Sequence, residues 1–528
     1  MNKIKIPYQQ TGYFSNLMLD YISGNENLKP FYNHFHSIEG YKNQLEEKQF
    51  SDESRKVLYD SLNKQYQELS VVDSVKQNIE RLKEQNTYTV TTGHQLNLFT
   101  GPLYFIYKII STINLAKQLK NNFPDKNFVP VFWMATEDHD FEEINHFNLF
   151  GKKHLINSLQ TGAVGRMKLD GIEAVFTDIQ ETLNGRNGLE EIIQKLKKYY
   201  NSKNTFTQAV RELVNELFGK HGLVIIDGDD KELKRTFQSY IKSELLNQTN
   251  FKSINVSSEK LETLGFKKQV NPREINLFYL KNNLRERIVF EDGNFKVLNT
   301  EIEFSESEIL KELENYPENF SPNAVMRPLY QEVILPNLAY IGGGGELAYW
   351  LQLKEMFANN GVTYPILVLR NSALLLDGGT SKKINKLGLT TKQLFLKEDD
   401  LIKTYLKEGA EIILDLKAEE RGVELVFEDV IKKAGKIDQT LQPMIKAELQ
   451  KSLKSLQNIE ARLIKAEKQK EEVAINQIKG IKDKLFPNGS LQERKDNFLY
   501  AYLLIGDSFI EQLIEQLNPF EQEFLVLS

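Results

Sequence analysis

The sequence contains no cysteine and no long uninterrupted run of apolar residues. Without cysteine the chain can form no disulfide, iron–sulfur cluster or thiolate zinc site, and it can use no cysteine nucleophile. No stretch of about 18 apolar residues predicts a membrane span. The first residues, MNKIKIPYQQTGYF, lack the apolar segment and cleavage site of a signal peptide. We therefore expect a cytoplasmic protein that has no membrane partner.

The chain also lacks an excess of positive charge. Its net charge is -6 and its pI is about 5.9, which argues against nucleic acid as its main partner but leaves room for a local basic pocket. Its 528 residues exceed what one hydrophobic core usually holds. We therefore expect two or three domains, or one domain with large insertions.

The order of patterns from residue 87 onwards predicts a parallel β-sheet. A β-prone run at 87–91 is followed by a helical pattern at 102–119 and an apolar run at 128–135. Such a βαβ unit has parallel strands, and ligands bind at their carboxyl ends. Residues 338–371 repeat the order of strand, glycine turn, helix and strand. The sequence therefore predicts an α/β fold.

Changes in these patterns divide the chain into five segments. We expect a helical N-terminal segment (1–86), a first part of the core (87–151), an inserted or connecting region (152–335) that could return one core strand near 222–227, a second part of the core (336–438), and a coiled-coil and helical arm (439–528). In the arm, Leu449, Leu456 and Leu463 recur every seven residues. A lone helix would leave this stripe in water, so we expect a coiled-coil hairpin or a homodimer formed through the arm.

The stretch TTGHQLNLFTGPLY (91–104) lies at the first predicted βα turn. Gly93 permits a tight turn and Pro102 suits the first position of a helix, so free backbone N–H groups would face the crevice and attract an anion. The polar side chains that could contact a phosphate there are Thr92, His94, Gln95, Asn97 and Thr100. The alternative is a structural turn in which the backbone satisfies His94.

The next predicted strand ends in TEDHDFEEINH (136–146). Its carboxylates repel one another, and crowding them with two histidines costs free energy unless a cation, an amine or a basic partner joins them. Substrate or metal binding is one interpretation, and a solvated acidic loop is the other. The candidate residues are Glu137, Asp138, His139 and Asp140.

A glycine run precedes the second predicted helix of the core. Its backbone could approach a ligand closely, or it could serve a close crossing of strand and helix. Nearby arginines could bind a carboxylate or phosphate, or could form structural ion pairs. The candidates are Gly342, Gly343, Gly344, Gly345, Glu346, Trp350, Arg327, Tyr330, Gln331, Arg370 and Asn371. For the basic segment 378–388 we favour a solvated surface turn over a loop that closes on a triphosphate.

Four longer stretches point to a family. TTGHQLNLFTGPLY, PVFWMATEDHDFEEINH, RPLYQEVILPNLAYIGGGGELAYWLQLKEMF and LFPNGSLQER, in this order and spacing, resemble the BshC family, the cysteine ligases of bacillithiol biosynthesis, over essentially the whole chain. The resemblance implies a Rossmann-like parallel-sheet core with insertions, a C-terminal α-helical coiled-coil arm that supports a dimer, and addition of L-cysteine to glucosaminyl-malate. From this resemblance we expect Gln more often than His at position 94.

Joining a carboxylate to an amine in water requires activation of the carboxylate. We expect ATP, with Mg²⁺, to bind across the two glycine turns and to convert the cysteine carboxylate into an acyl-adenylate or acyl-phosphate. The expected roles are phosphate stabilisation for His94, binding of the substrate ammonium or Mg²⁺ for Glu137, Asp138 and Asp140, proton abstraction for His139, and binding of the malate carboxylates for Arg327 or Arg370.

Two other functions remain open from the sequence. One is a nucleotide-binding coiled-coil scaffold without catalysis, and the other is a ligase or adenylyltransferase of the same fold that acts on another amino acid. Zinc is not expected, because enzymes that bind free cysteine through zinc commonly hold the metal with their own cysteines.

Overall fold

The computed structural model describes residues 2–409 and 415–528. The chain forms two compact units: the first contains the chain up to Leu375 together with Gln492–Leu527, and the second contains Leu376–Leu491 and Ser528. No helix in the described ranges is long and apolar enough to span a membrane.

The strands of the described residues, in chain order, are β1 (Lys3–Pro7), β2 (Thr87–His94), β3 (Asn127–Met134), β4 (His146–Leu149), β5 (Lys152–Leu155), β6 (Val224–Asp227), β7 (Leu277–Lys281), β8 (Leu284–Glu291), β9 (Asn294–Val297), β10 (Glu303–Phe304), β11 (Phe320–Pro322), β12 (Asn337–Gly342), β13 (Ile366–Leu369), β14 (Ser372–Leu375) and β15 (Glu523–Leu527).

The α-helices of the same residues are α1 (Tyr8–Thr11), α2 (Asn16–Ile22), α3 (Ile38–Glu47), α4 (Asp52–Gln65), α5 (Asp73–Arg81), α6 (Tyr104–Asn122), α7 (Phe141–Ile144), α8 (Ile172–Leu183), α9 (Leu189–Tyr199), α10 (Phe206–Phe218), α11 (Lys231–Thr236), α12 (Gln238–Asn247), α13 (Thr249–Thr263), α14 (Glu306–Asn315), α15 (Arg327–Ile334), α16 (Gly344–Trp350), α17 (Lys354–Asn359), α18 (Gly378–Lys386), α19 (Glu398–Gly409), α20 (Lys417–Ile437), α21 (Gln442–Lys470), α22 (Glu472–Leu485), α23 (Phe498–Ile505) and α24 (Phe509–Gln516).

A parallel sheet of order β13-β12-β2-β3-β6 forms the centre of the first unit. The predicted α/β fold with a parallel sheet is confirmed, and so is the βαβ unit of β2, α6 and β3. Helix α6 packs on both strands that it joins. Strand β6 comes from the inserted region and pairs with β3 from Val131 to Met134. The order places the carboxyl ends of β2, β3 and β12 side by side.

The core beneath this sheet combines apolar packing with a buried polar network. The apolar members include Tyr41, Tyr88, Val90, Leu115, Leu119, Phe128, Leu338, Ile341, Ile366 and Val368. The hydroxyls of Thr89 and Thr91 donate to Asn337 Oδ1 at 3.1 and 2.8 Å. These bonds allow a threonine-rich strand to be buried without unsatisfied polar groups.

A second sheet, of order β10-β9-β8-β7-β11, belongs to the inserted region and is antiparallel. The hairpin between β8 and β9 turns at Asp292 and Gly293, which both have positive φ, as a two-residue turn of this kind requires. This sheet forms one wall of the cavity described below.

Two local expectations were wrong. The first 86 residues are not purely helical, because β1 pairs antiparallel with β15, a partner more than 500 residues away that no local pattern reveals. Pro102 is not the first residue of a helix: α6 begins at Tyr104 with Leu103 as its N-cap residue. The tight turn lies at Phe99, Thr100 and Gly101, which have φ of 46°, 68° and 65°.

The second unit contains a helical hairpin in which α20 and α21 pack against each other. Its first helix starts at Lys417, before the boundary at residue 439 that we expected for the arm, and Gln492–Leu527 returns to the first unit. The basic segment 378–388 is mostly the helix α18, which Asp377 caps by accepting from the amides of Gly379 and Thr380.

We expect the protein to be a dimer in solution. Ile459 and Leu463 on α21 are 49% and 40% exposed, and Val426 and Val430 on α20 are 62% and 42% exposed. Such apolar side chains lose contact with water when a second copy covers them. Light scattering at micromolar concentration should give twice the mass of the chain. A monomer whose helical content is intact would contradict this prediction.

Candidate active site

A cavity of about 750 Å³ lies at the carboxyl ends of β2, β3 and β12. The antiparallel sheet of the inserted region supplies its other wall through β7, β8 and β11. Both walls belong to the first unit. The sequence-predicted residues that line it are Gly93, His94, Gln95, Glu137, Asp138, His139, Arg327, Gly343, Gly344, Gly345, Glu346 and Arg370.

The other predicted residues do not line this cavity, because they are buried or make contacts within the protein. They are Thr92, which donates to Ile341 O; Asn97 and Thr100, which are buried in the turn before α6; Asp140, which caps α7; Tyr330, which donates to Gly228 O; Gln331, which accepts from Arg327; Gly342, which is buried; Trp350, which stacks on Tyr340; and Asn371, which accepts from Ser111.

His94 ends β2 and faces the cavity. Its buried Nε2 atom has no hydrogen-bond partner among the described residues, so the alternative of a histidine satisfied by the backbone does not describe this geometry. Burial, reinforced by the positive charge of Lys108, lowers the pKa of His94 to about 3. The ring is therefore neutral at physiological pH, and it can offer one N–H to a ligand.

The start of α6 does not form the anion site that the sequence predicted. The amide of Leu103 donates to Asp496 O at 2.7 Å, so the protein itself occupies part of this helix terminus. Gly93 has no positive φ, and a Cβ there would meet Tyr340 Oη and Arg327 Nη1 only at 3.5 and 3.6 Å. The turn therefore does not require a glycine at this position, where a Cβ would have room.

Lys108 links the two predicted turns across the cavity floor. Its ammonium donates to Gly93 O and to the Glu346 carboxylate at 2.8 Å, and its side chain is 2% exposed. Glu346 also accepts from Tyr340 Oη and from the amide of Gly343, both at 2.9 Å. Burial opposes ionisation, but Lys108 and the Gly343 amide hold the pKa of Glu346 at about 2. The pair is therefore charged, and it ties the end of β2 to the start of α16.

Gly342 illustrates the packing alternative for the glycine run. A Cβ on this residue would lie 2.8 Å from Leu347 Cδ2, which is too close for any other residue without movement. Gly342 therefore allows α16 to cross closely over the end of β12, and the next three glycines line the cavity.

The acidic stretch after β3 is not a free acidic loop. Asp138 accepts from Gln95 Nε2 at 2.8 Å and from the amide of His139 at 2.7 Å. Burial opposes ionisation, but hydrogen bonds from residue 139 and Gln95 hold the pKa of Asp138 well below its usual value. Glu137 forms an ion pair with Lys234. Both carboxylates thus already have partners within the protein, and the lowered pKa of Asp138 makes that group a poor proton acceptor.

His139 contacts Arg285 of β8. Arg285 Nη1 lies 2.7 Å from His139 Nδ1, and since a guanidinium can only donate, Nδ1 accepts this bond and Nε2 carries the proton. In this geometry His139 presents a donor to the cavity, and the role of base that the sequence suggested would require another arrangement.

Arginines dominate the charge of the cavity. Those that line it are Arg273, Arg285, Arg287, Arg327, Arg370 and Arg494. Within residues 2–409 and 415–528, Arg370 is the only one of them with a carboxylate within 4 Å: its Nη2 lies 2.8 Å from Glu493. The three lining acids, Glu137, Asp138 and Glu346, have partners of their own. The cavity therefore has an excess of positive charge and favours an anionic ligand.

The sequence interpretation missed several of these residues. Lys108 was hidden in the apolar helix pattern, where a lone lysine between buried residues was the available signal. Arg285 and Arg287 stand two residues apart in a strand, which places their side chains on one face. Arg273 carries no local signal, because its role depends on how the inserted region folds over the sheet.

Zinc is expected to be dispensable for activity. No group of three or more histidine, aspartate or glutamate residues in the described ranges could hold a metal ion. His139 and His146, the two histidines of the acidic stretch and its candidate zinc ligands, already contact Arg285 and Asn145. Elemental analysis of the purified protein should find zinc below stoichiometric amounts, and a zinc-selective chelator, added with Mg²⁺ in excess, should leave turnover unchanged. Activity that is lost on chelation and restored by zinc would overturn this expectation.

A parallel sheet whose carboxyl edge opens on an arginine-rich cavity defines a Rossmann-like α/β protein with a cavity suited to small anionic molecules. Two family models identify the family of this protein. The model described as "Bacillithiol biosynthesis BshC, N-terminal Rossmann-like domain" matches residues 1–371, and "Bacillithiol biosynthesis BshC, C-terminal coiled-coil domain" matches residues 373–528. The chain belongs to the BshC family.

Whole-length relatives agree with this assignment. A protein of Flavobacterium psychrophilum is 49% identical over 525 residues, which cover 99% of this chain and 98% of the relative. Proteins of Flavobacterium johnsoniae and Christiangramia forsetii are 47% and 46% identical, each over 99% of this chain and over 99% and 98% of their own length. All three bear the name "Putative cysteine ligase BshC".

Proposed function

We propose that this protein joins the carboxyl group of L-cysteine to the amine of glucosaminyl-malate, with ATP and Mg²⁺ as the means of activating the carboxylate. The names of its relatives support the cysteine ligase activity. The observation that carries the proposal is the excess of unpaired arginines around a single cavity at the sheet edge, because both ATP and the malate group are anionic.

Two nitrogen atoms are suited to the charge that develops when the carboxylate is activated. His94 Nε2 and Arg370 Nε are both buried beside the cavity and have no partner among the described residues. The other guanidinium nitrogens of Arg370 donate to Asn371 O, Ser372 Oγ and Glu493, so the group is held in one orientation. Donors fixed in advance stabilise a developing oxyanion without reorganisation.

Arg327 supplies a further cation on the same side of the cavity. Its Nη1 donates to Gln331 Oε1 at 3.1 Å, and the same atom would lie 3.6 Å from a Cβ on Gly93 at the end of β2. An arginine in this position can bind a phosphate oxygen or the carboxylate of the activated amino acid. We therefore place the activation step between β2, α15 and α16.

The residues present fit a nucleotide better than a tightly bound metal. ATP supplies the phosphoryl or adenylyl group that makes the cysteine carboxyl group electrophilic. Mg²⁺ commonly keeps several waters and binds through substrate phosphates with one or two carboxylates. Asp138 and Glu137, at the edge of the cavity, are the carboxylates that would contact such an ion, in exchange for contacts to Gln95 and Lys234.

The test is a ligation assay with the full-length protein, L-cysteine, ATP and glucosaminyl-malate, in which each substrate is omitted in turn. Mass spectrometry should find the amide product only when all three are present, and the release of ADP or of AMP will distinguish an acyl-phosphate from an acyl-adenylate. Nucleotide binding without product would favour a scaffold, and product with another amino acid in place of cysteine would change the assigned substrate.

A further inference from the structure

We propose that Arg273, Arg285 and Arg287 form a subsite for the dicarboxylate end of the amine substrate. The inference rests on the proposed function, and it deepens it by separating two anion-binding regions within one cavity. The three arginines come from the inserted region, whereas His94, Arg327 and Arg370 lie at the edge of the parallel sheet.

Strand geometry brings two of these side chains together. Arg285 and Arg287 are two residues apart on β8, so they point to the same face of the antiparallel sheet. They pair with Leu280 and Phe278 of the neighbouring strand β7. Arg273 precedes β7 and lines the same wall of the cavity. The wall therefore presents several guanidinium groups to one ligand.

Arg273 and Arg287 are free to bind. In the described parts of the chain their side chains make no hydrogen bond and have no carboxylate within 4 Å. A second cavity, of about 280 Å³, shares Arg273 and Arg287 with the first, so the space around them continues beyond the larger cavity. Half-buried Arg287 pays a desolvation cost that no internal partner offsets, which favours an external anion.

Arg285 is held in position by its neighbours. Its guanidinium stacks over the ring of Phe278 at 3.9 Å, and it donates to His139 Nδ1 at 2.7 Å and to Ser321 Oγ at 3.3 Å. A stacked guanidinium still offers its outer edge for a bidentate contact. Through His139 the subsite also adjoins the end of β3.

The chemistry of the proposed substrates indicates that this subsite would bind the dicarboxylate. Guanidinium forks match planar carboxylates in bidentate geometry. Among the three proposed substrates, glucosaminyl-malate alone carries two carboxylates on one group. The phosphates of ATP have their own donors at the opposite wall. The earlier assignment of the malate group to Arg327 or Arg370 is thereby replaced, since Arg370 is already paired with Glu493.

Binding measured by calorimetry on the full-length protein tests the subsite without turnover. The probes are glucosaminyl-malate, L-malate and ATP. Arg287→Met and Arg273→Met should each weaken binding of both malate-containing probes by about tenfold or more and leave the ATP affinity within about twofold. Arg287→Lys, which keeps the charge but loses the fork, should fall between. The matched control is Arg235→Met on α11, an arginine outside the cavity that pairs with Glu232.

The other outcomes count against the subsite or against the ligase function, and the two can be told apart. Equal affinity for glucosaminyl-malate in the native protein and the Arg287 and Arg273 variants would overturn it, as would an absence of binding to the native protein. Weakened ATP binding with intact malate binding would assign the arginines to phosphate. If the variants lose malate binding but the native protein forms no amide, the subsite stands and the ligase function falls. If the native protein forms the amide but the arginine variants bind malate as tightly as the native protein does, the ligase function stands and the subsite falls.

Discussion

The His94→Ala protein should turn over roughly 10²- to 10³-fold more slowly than the native protein while it stays folded. Its imidazole is neutral, faces the cavity, and has a buried nitrogen without a partner in the described residues. If that N–H donates to charge developing on the transferring group, its removal costs one fixed donor. His94→Gln should be milder, because an amide at this position keeps a donor.

Steady-state kinetics and thermal midpoints on both variants check this prediction. Tyr107→Phe is a useful control, because it also removes a buried polar atom that lacks a partner in the described chain, but outside the cavity lining. It should leave the rate unchanged. If folded His94→Ala protein keeps full activity, His94 has no part in catalysis. A loss of about 1 kcal/mol of stability with an unchanged rate would assign it to the turn alone.

Lys108→Met should lower the free energy of unfolding by about 3 kcal/mol or more and should also abolish most of the activity. The substitution leaves the Glu346 carboxylate and the Gly93 carbonyl without their buried cation, and removing one member of a buried pair typically costs 3–5 kcal/mol. Loss of the pair also frees the start of α16, which lines the cavity beside His94.

Denaturant unfolding will measure the effect. Lys117→Met, on the exposed face of the same helix α6, is the matched control and should change stability by less than about 0.5 kcal/mol. The double variant Lys108→Met/Glu346→Gln should recover part of the loss, because no charge is then left unpaired. If Lys108→Met is as stable as Lys117→Met, the pair of Lys108 and Glu346 does not stabilise the fold.

The sequence was most informative where candidate site residues lie at the end of a strand or directly after it. His94 ends β2, Glu137 to His139 follow β3, and Gly343 follows β12, so a correct βαβ interpretation was enough to bring them to one sheet edge. The apolar strands and α6 show their type locally, because a parallel sheet buried on both faces selects short apolar runs. Predicted neighbours such as Thr92 and Asn371 missed the cavity because their side chains point into internal contacts, which spacing alone does not reveal.

By itself, then, the amino-acid sequence determined the α/β class, the parallel sheet edge, and the family, since these depend on local hydrophobic pattern and on long stretches of residues. Only the tertiary structure decided which groups share the cavity. The pairing of Lys108 with Glu346 joins residues 238 positions apart, the pairing of β1 with β15 spans almost the whole chain, and the arginine wall exists because the inserted sheet folds over the carboxyl ends of the core strands. Contacts at such separations depend on the path of the whole chain, and no local pattern of residues encodes that path.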